Sequence, residues 1–190
     1  MRKVLIIGDS ISIGYTPYVA AALEGEYAVV HNEGNAGDSN KFLANLESYL
    51  ASEADAEIIH FNCGLHDVKR ARDSRGCQVD IERYRGNLRE IFSRLKSTGG
   101  KLIWASTTPV IDERHAAAKP FDRREQDVLA YNAAAAKIAG EAGVTVNDLH
   151  EVVMAAGIEN CVGPDGVHMT QSGYRVLGEA VAGAVAARGS

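Results

Sequence analysis

Short apolar runs alternate with helical stripes along this chain, and that alternation restricts the fold more than any other feature. Val4–Ile7 is a continuous apolar run, as expected of a strand covered on both faces. Ile13–Leu23 reads as a helix and Ala28–His31 as a second strand. Phe42, Leu46 and Leu50 recur at a spacing of four, which marks the apolar stripe of the next helix. Ile58–Phe61 predicts a third strand, and Ile81–Leu95 a helix with Tyr84, Leu88, Ile91, Phe92 and Leu95 on one face. Gly99 and Gly100 end that helix before a fourth strand at Leu102–Ala105. The alanine-rich helix Val128–Ala142, a fifth strand at Val144–Val146 and a closing helix at Tyr174–Ala187 complete the series. Strands that alternate with helices demand crossover connections, hence a parallel sheet with helices on both faces. The expectation is an α/β fold of three layers, α/β/α, with about five parallel strands. With no repeat, low-complexity tract or linker in evidence, residues 1–190 read as one domain.

In such a sheet the ligand crevice lies at the carboxyl ends of the strands. The segments that follow strands one to four are Gly8-Asp9-Ser10, Asn32–Asn40, Gly64–Asp67 and Thr107–Pro109. All four open onto that edge. Near the other end of the chain, Asp165-Gly166-Val167-His168 sets a carboxylate and an imidazole three residues apart. Taken singly, Gly-Asp-Ser is equally a turn or a helix cap, and Asp-x-x-His a capped turn. Together they supply the groups that ester hydrolysis needs. A serine hydroxyl attacks only when a base takes its proton, and a carboxylate fixes the tautomer of that base.

Charge and cysteine usage narrow the partners. A net charge of -5 disfavours nucleic acid and anionic membrane. Three widely spaced cysteines, Cys63, Cys77 and Cys161, form no CxxC pair and read as free thiols of a reducing compartment. After Arg2-Lys3 only four apolar residues precede Gly8-Asp9, short of the roughly 7–15 of a secretory core. A soluble, cytoplasmic protein is the expectation. Oligomeric state is not encoded in any of these features.

The ordered blocks resemble the SGNH hydrolases, the GDSL esterase/lipase family, over essentially the whole chain. Gly8-Asp9-Ser10-Ile11-Ser12 matches the first block. Asn32-Glu33-Gly34-Asn35-Ala36-Gly37-Asp38-Ser39 approaches the pattern N-x-G-x-x-G-D-T/S of the second. Gly64-Leu65-His66-Asp67 matches the third in part, and Asp165-Gly166-Val167-His168 the last. The resemblance implies a flavodoxin-like sheet, Ser10 as nucleophile, His168 as general base and Asp165 as its orienting acid. It further implies an oxyanion hole from the backbone N–H groups of Ser10 and Gly37. The family has asparagine as third donor where this chain has His66; an imidazole N–H keeps a donor there and brings pH sensitivity. Asp67 shapes the loop rather than performing chemistry. No metal or organic cofactor is implied.

The remaining histidines carry no role in this reading: His60 is structural, and His31, His115 and His150 are unassigned. Cys63, beside Gly64, reads as a small packed residue. Lys69-Arg70-Ala71-Arg72-Asp73-Ser74-Arg75 reads as a solvated loop, with arginine forks for a substrate carboxylate or sulfate as the alternative. Ile111–Asp127 is long enough for a lid or specificity loop, and its Arg114, Lys119, Arg123 and Arg124 add to a basic rim. The expected substrate is a small acyl ester, acetyl by preference, on a polar or carbohydrate carrier. The rival is an SGNH fold that binds a glycan or other ligand without turning it over, which His66 favours and the intact Ser10, Asp165 and His168 oppose. A nucleotide- or flavin-binding module fares worse, because the first loop lacks GxGxxG and GxxxxGK[ST].

Overall fold

The computed structural model describes residues 1–51 and 53–189. The chain runs β1 (Arg2–Ile7), α1 (Ser10–Ala22), β2 (Tyr27–His31), α2 (Ser39–Ala51), β3 (Ile58–Phe61), β4 (Arg70–Ala71), α3 (Ile81–Ser97), β5 (Lys101–Ala105), α4 (Asp112–Ala118), β6 (Phe121–Asp122), α5 (Glu125–Ala142), β7 (Thr145–Asn147), α6 (Leu149–Ala156), α7 (Ile158–Cys161) and α8 (Gln171–Gly189). Five strands make one all-parallel sheet in the order β2-β1-β3-β5-β7. This is the expected three-layer flavodoxin-like arrangement.

The apolar runs explain that order. Val4, Leu5, Ile6 and Ile7 are fully buried, as are Ile58 and Phe61 beside them in β3. Strands apolar on both faces belong at the centre of a sheet, covered above and below. Each such side chain contributes about 1.5–3 kcal/mol by leaving water. Strand β7 sits at the edge, and its Thr145 and Val146 are correspondingly exposed. Helices α1, α6 and α8 pack together on one face, and α2, α3 and α5 on the other. Among the described residues, no helix is long and apolar enough to cross a membrane.

The strand readings hold to within two residues at either end, the largest difference being the earlier start of β1 at Arg2. Three short helices and one ribbon were not foreseen. Helix α4 and strand β6 lie inside the segment expected to be a lid, and β6 pairs antiparallel with β4 of the basic run. That two-stranded ribbon binds the two polar insertions to each other. The run from Lys69 is therefore only partly a solvated loop: Arg70 pairs with Asp127 at 2.7 Å, and Arg72 donates to the carbonyls of Ala116 and Lys119.

Candidate active site

Ser10 opens α1 directly after β1, and Asp9 is the cap of that helix, its Oδ1 accepting the Ile11 N–H at 2.9 Å. A residue at the first helical position has a backbone N–H with no acceptor inside the helix, and the helix dipole favours negative charge there. His168 arrives from the far end of the chain. Its Nε2 stands 3.0 Å from Ser10 Oγ, and its Nδ1 stands 2.6 Å from Asp165 Oδ2. The other oxygen of Asp165 accepts the N–H groups of Val167 and His168 at 3.1 and 2.9 Å. Burial pushes the Asp165 carboxyl up, but these bonds outweigh it and hold the pKa at about 2. The carboxylate is thus ionised across the working pH range. Hydroxyl, imidazole and carboxylate in this chain can pass a proton from oxygen to nitrogen while the carboxylate stabilises the resulting cation.

The turn that carries Asp165 and His168 depends on glycine. Gly166 has φ +73°, and a Cβ there would lie 2.5 Å from the Ile111 carbonyl oxygen and 2.6 Å from the His115 nitrogen. The Gly166 carbonyl in turn accepts the Ile111 N–H at 2.9 Å. The segment following β5 is therefore seated against the Asp165–His168 turn, a coupling that no local pattern announces.

The second and third blocks meet through Asp67. Both of its carboxylate oxygens lie within 3.1 Å of the Ser39 N–H, and Oδ1 also accepts the Ser39 hydroxyl at 2.5 Å. Asp67 thereby closes the N-terminus of α2. Burial raises its pKa to about 7 despite these bonds. The Asn32 carboxamide accepts the Gly8 N–H at 2.9 Å and fastens the β2 loop to the β1 loop. Gly37 has φ +70°, a conformation costly for any side chain, and its N–H donates to Asn35 Oδ1 at 2.8 Å. The His66 ring is about one-third exposed, with Nε2 3.9 Å from Asp9 Oδ2, outside hydrogen-bond reach. Burial lowers its pKa, and the nearby Asp9 carboxylate opposes that shift. Asp9 Oδ2 is itself buried with no hydrogen-bond partner among the described residues.

A second serine–histidine pair lies one strand away. Ser12 Oγ stands 2.7 Å from His31 Nε2, whose Nδ1 faces the Asn32 carbonyl at 2.8 Å. Ser12 is buried, and burial lowers the His31 pKa. His60 is fully buried between Tyr15 and Asn147, which burial renders neutral by pushing its pKa down to about 3. Cys63 is fully buried, and burial raises its thiol well above the ordinary range, which removes the thiolate a nucleophile would need.

Residues 6–176 match the model of the GDSL-like lipase/acylhydrolase family, which takes in every block just described. The chain belongs to this family. It is a carboxylic ester hydrolase. Solved structures share the fold of the hydrolase at low identity. An aryl esterase of M. smegmatis superposes with a TM-score of 0.81 at 17% identity, covering 98% of this chain and 99% of its own. A carbohydrate acetylesterase from Sinorhizobium meliloti gives 0.79 at 17% identity, with 98% and 99% covered. An acetyl xylan esterase gives 0.78 at 19% identity, with 96% and 99% covered. A search of curated protein sequences found no match to the hydrolase.

Two features of the site escape a reading of the sequence alone. Asp9 looks like a cap, yet its carboxylate also opposes the burial-driven lowering of the His66 pKa. Arg123, expected on a solvent-exposed rim, is instead buried with 7% exposure, its Nε donating to the Leu65 carbonyl at 2.6 Å. Nothing in the sequence separates it from its neighbour Arg124, which is half exposed.

Proposed function

We propose that the hydrolase is a serine esterase that removes a small acyl group, acetyl by preference, from a polar or carbohydrate carrier through an acyl-enzyme. The observation that carries this reading is the continuous contact from Ser10 Oγ to His168 at 3.0 Å and from His168 to Asp165 at 2.6 Å. In it, Ser10 attacks the ester carbonyl while His168 takes the hydroxyl proton, and Asp165 stabilises the imidazolium. The tetrahedral intermediate collapses, with His168 returning the proton to the leaving alcohol. Water then repeats the sequence against the acyl-enzyme, with His168 again as base.

The developing oxyanion would receive the N–H of Ser10 at the head of α1, the N–H of Gly37 and the ring N–H of His66. Gly37 shares its hydrogen with Asn35 Oδ1 in this scheme, as a three-centre bond. Among the described residues the nearest charged partner of His66 Nε2 is the Asp9 oxygen at 3.9 Å, too far to engage the ring N–H that would face substrate. The acetyl and carbohydrate preference is supported by the structural likeness to an acetyl xylan esterase and a carbohydrate acetylesterase. It is also supported by a half-exposed His168, which suits a short acyl group on a large polar carrier better than a buried acyl tunnel.

Hydrolysis of p-nitrophenyl acetate by wild type and Ser10→Ala, side by side, tests the reading. Wild-type turnover that is abolished in the variant supports Ser10 as nucleophile. Equal near-background rates on this ester and on acetylated oligosaccharides would instead favour a binding protein built on the same fold.

A further inference from the structure

The cations of the two insertions are mostly spent on the protein itself. Arg70 pairs with Asp127, Arg72 with backbone carbonyls, Arg114 with Glu159, and Arg124 approaches Asp122 at 3.6 Å. Arg123 differs from these in its burial. It is the most buried of them, yet among the described residues no carboxylate forms an ion pair with it. A buried charge without a paired counter-charge is costly, by several kcal/mol for an ion of this size. Such a group persists where something other than stability requires it.

Its surroundings say what that is. The Nε is committed to the carbonyl of Leu65, the residue before His66, and the guanidinium sits 5.1 Å from the centre of the Phe121 ring. Phe121 meets the His115 ring edge-on at 5.3 Å, and His115 Nδ1 faces the Asp165 carbonyl at 3.3 Å. The guanidinium is therefore braced from two sides, directly behind the loop that carries His66. The carboxylates of Asp9 and Asp165 favour its charge against the cost of burial, and that charge in turn opposes protonation of His66. With Nε occupied, the two terminal nitrogens are what the fork has left to offer, in the geometry that a carboxylate matches. Lys69, whose Nζ lies 4.4 Å from the same Phe121 ring, brings a second positive charge beside it.

We propose that Arg123 forms an anion subsite beside Ser10, which binds a carboxylate on the carrier half of the ester and makes the enzyme selective for acylated acidic carriers. This rests on the esterase reading above and sharpens its substrate class. A bound carboxylate would supply the direct ion pair that the buried guanidinium does not make with Asp9 or Asp165, while Lys69 would attract such substrates.

The test compares 4-acetoxybenzoate with its neutral methyl ester, two acetates with closely similar leaving phenols. Wild type is expected to prefer the carboxylate. The ratio of the two kcat/KM values should fall about 10–100-fold in Arg123→Gln, chiefly through KM, and recover in part in Arg123→Lys. Should Arg123→Gln not fold, Arg123→Lys alone is read against wild type, since it keeps the charge and loses the fork. A ratio that is unchanged in a folded variant, or no preference in wild type, overturns the subsite and leaves the esterase reading standing. Calorimetric titration of Ser10→Ala with both compounds separates the two failures. If wild type hydrolyses neither ester, the esterase reading falls, and the subsite is then upheld by tighter binding of the carboxylate that Arg123→Gln abolishes, or overturned by equal binding.

Discussion

Two serine–histidine contacts lie within a few residues of each other at the mouth of this sheet, and they have opposite fates. Ser10 and His168 stand 3.0 Å apart, Ser12 and His31 2.7 Å apart. By distance alone the second is the better pair. What separates them is surroundings. His168 is about half exposed and backed by the Asp165 carboxylate, while Ser12 is 2% exposed and His31 is backed only by the Asn32 carbonyl. A carbonyl can fix a tautomer, but it offers no negative charge to stabilise an imidazolium. Burial makes this worse by lowering the His31 pKa. The pair at Ser12 thus fastens α1 to β2, and the pair at Ser10 is the one equipped for chemistry.

The largest effect expected from this contrast is at the serines. Ser10→Ala should lower kcat on an activated acetate by about 10³–10⁶-fold, whereas Ser12→Ala should keep it within about tenfold of wild type. A steady-state comparison of the two variants breaks the contrast if Ser12→Ala is the worse. Next comes the third member of the chain. Asp165→Asn should cost about 10³–10⁴-fold with the fold retained, because His168 loses both its tautomer control and its counter-charge. Circular dichroism beside the kinetics separates that from unfolding.

His66 follows. His66→Ala should lower kcat by about 10²–10³-fold as one oxyanion donor is lost, and His66→Asn should restore most of it. The asparagine variant should also lose whatever part of the acidic limb of the pH profile belongs to His66, the sign being set by burial, which holds the imidazole neutral to lower pH. An unchanged kcat in a folded His66→Ala would remove His66 from the oxyanion hole.

The smallest effects concern stability. The Ser12–His31 contact should be worth about 1–2 kcal/mol, read as the loss in urea unfolding of Ser12→Ala. Acid should weaken the protein through the same kind of group. His31 and His60 both have folded pKa values below the ordinary 6.5, His60 at about 3, so the unfolded chain takes up protons first. The stability they confer is complete above pH 6.5 and declines as pH falls through 6.5 toward about 3. His60→Leu should flatten that part of a Tm-against-pH curve, and a curve as steep as wild type would assign the acid sensitivity elsewhere.

The five strands and the larger helices were legible because burial on both faces leaves an unbroken apolar run, and burial on one face leaves a stripe at spacing three or four. Helices α4, α6 and α7 escaped because they are at most eight residues long and carry too few turns to show a stripe. Four short blocks of sequence also marked out Ser10, Gly37, His66, Asp165 and His168, since each has to stand at a strand end or on a tight turn. What the chain alone determined, then, was the sheet and the placement of those groups on one edge of it, because both are set by local patterns of a few residues.

Tertiary structure decided the rest. It buried Arg123 against the Leu65 carbonyl and left Arg124 half in water, gave His31 a serine, set Asp67 on the end of α2, and required glycine at 166. Each of those outcomes depends on a partner between 15 and 60 residues away in sequence, roughly speaking, and the electrostatic cost of burial is set by everything that surrounds a charge rather than by its neighbours in the chain.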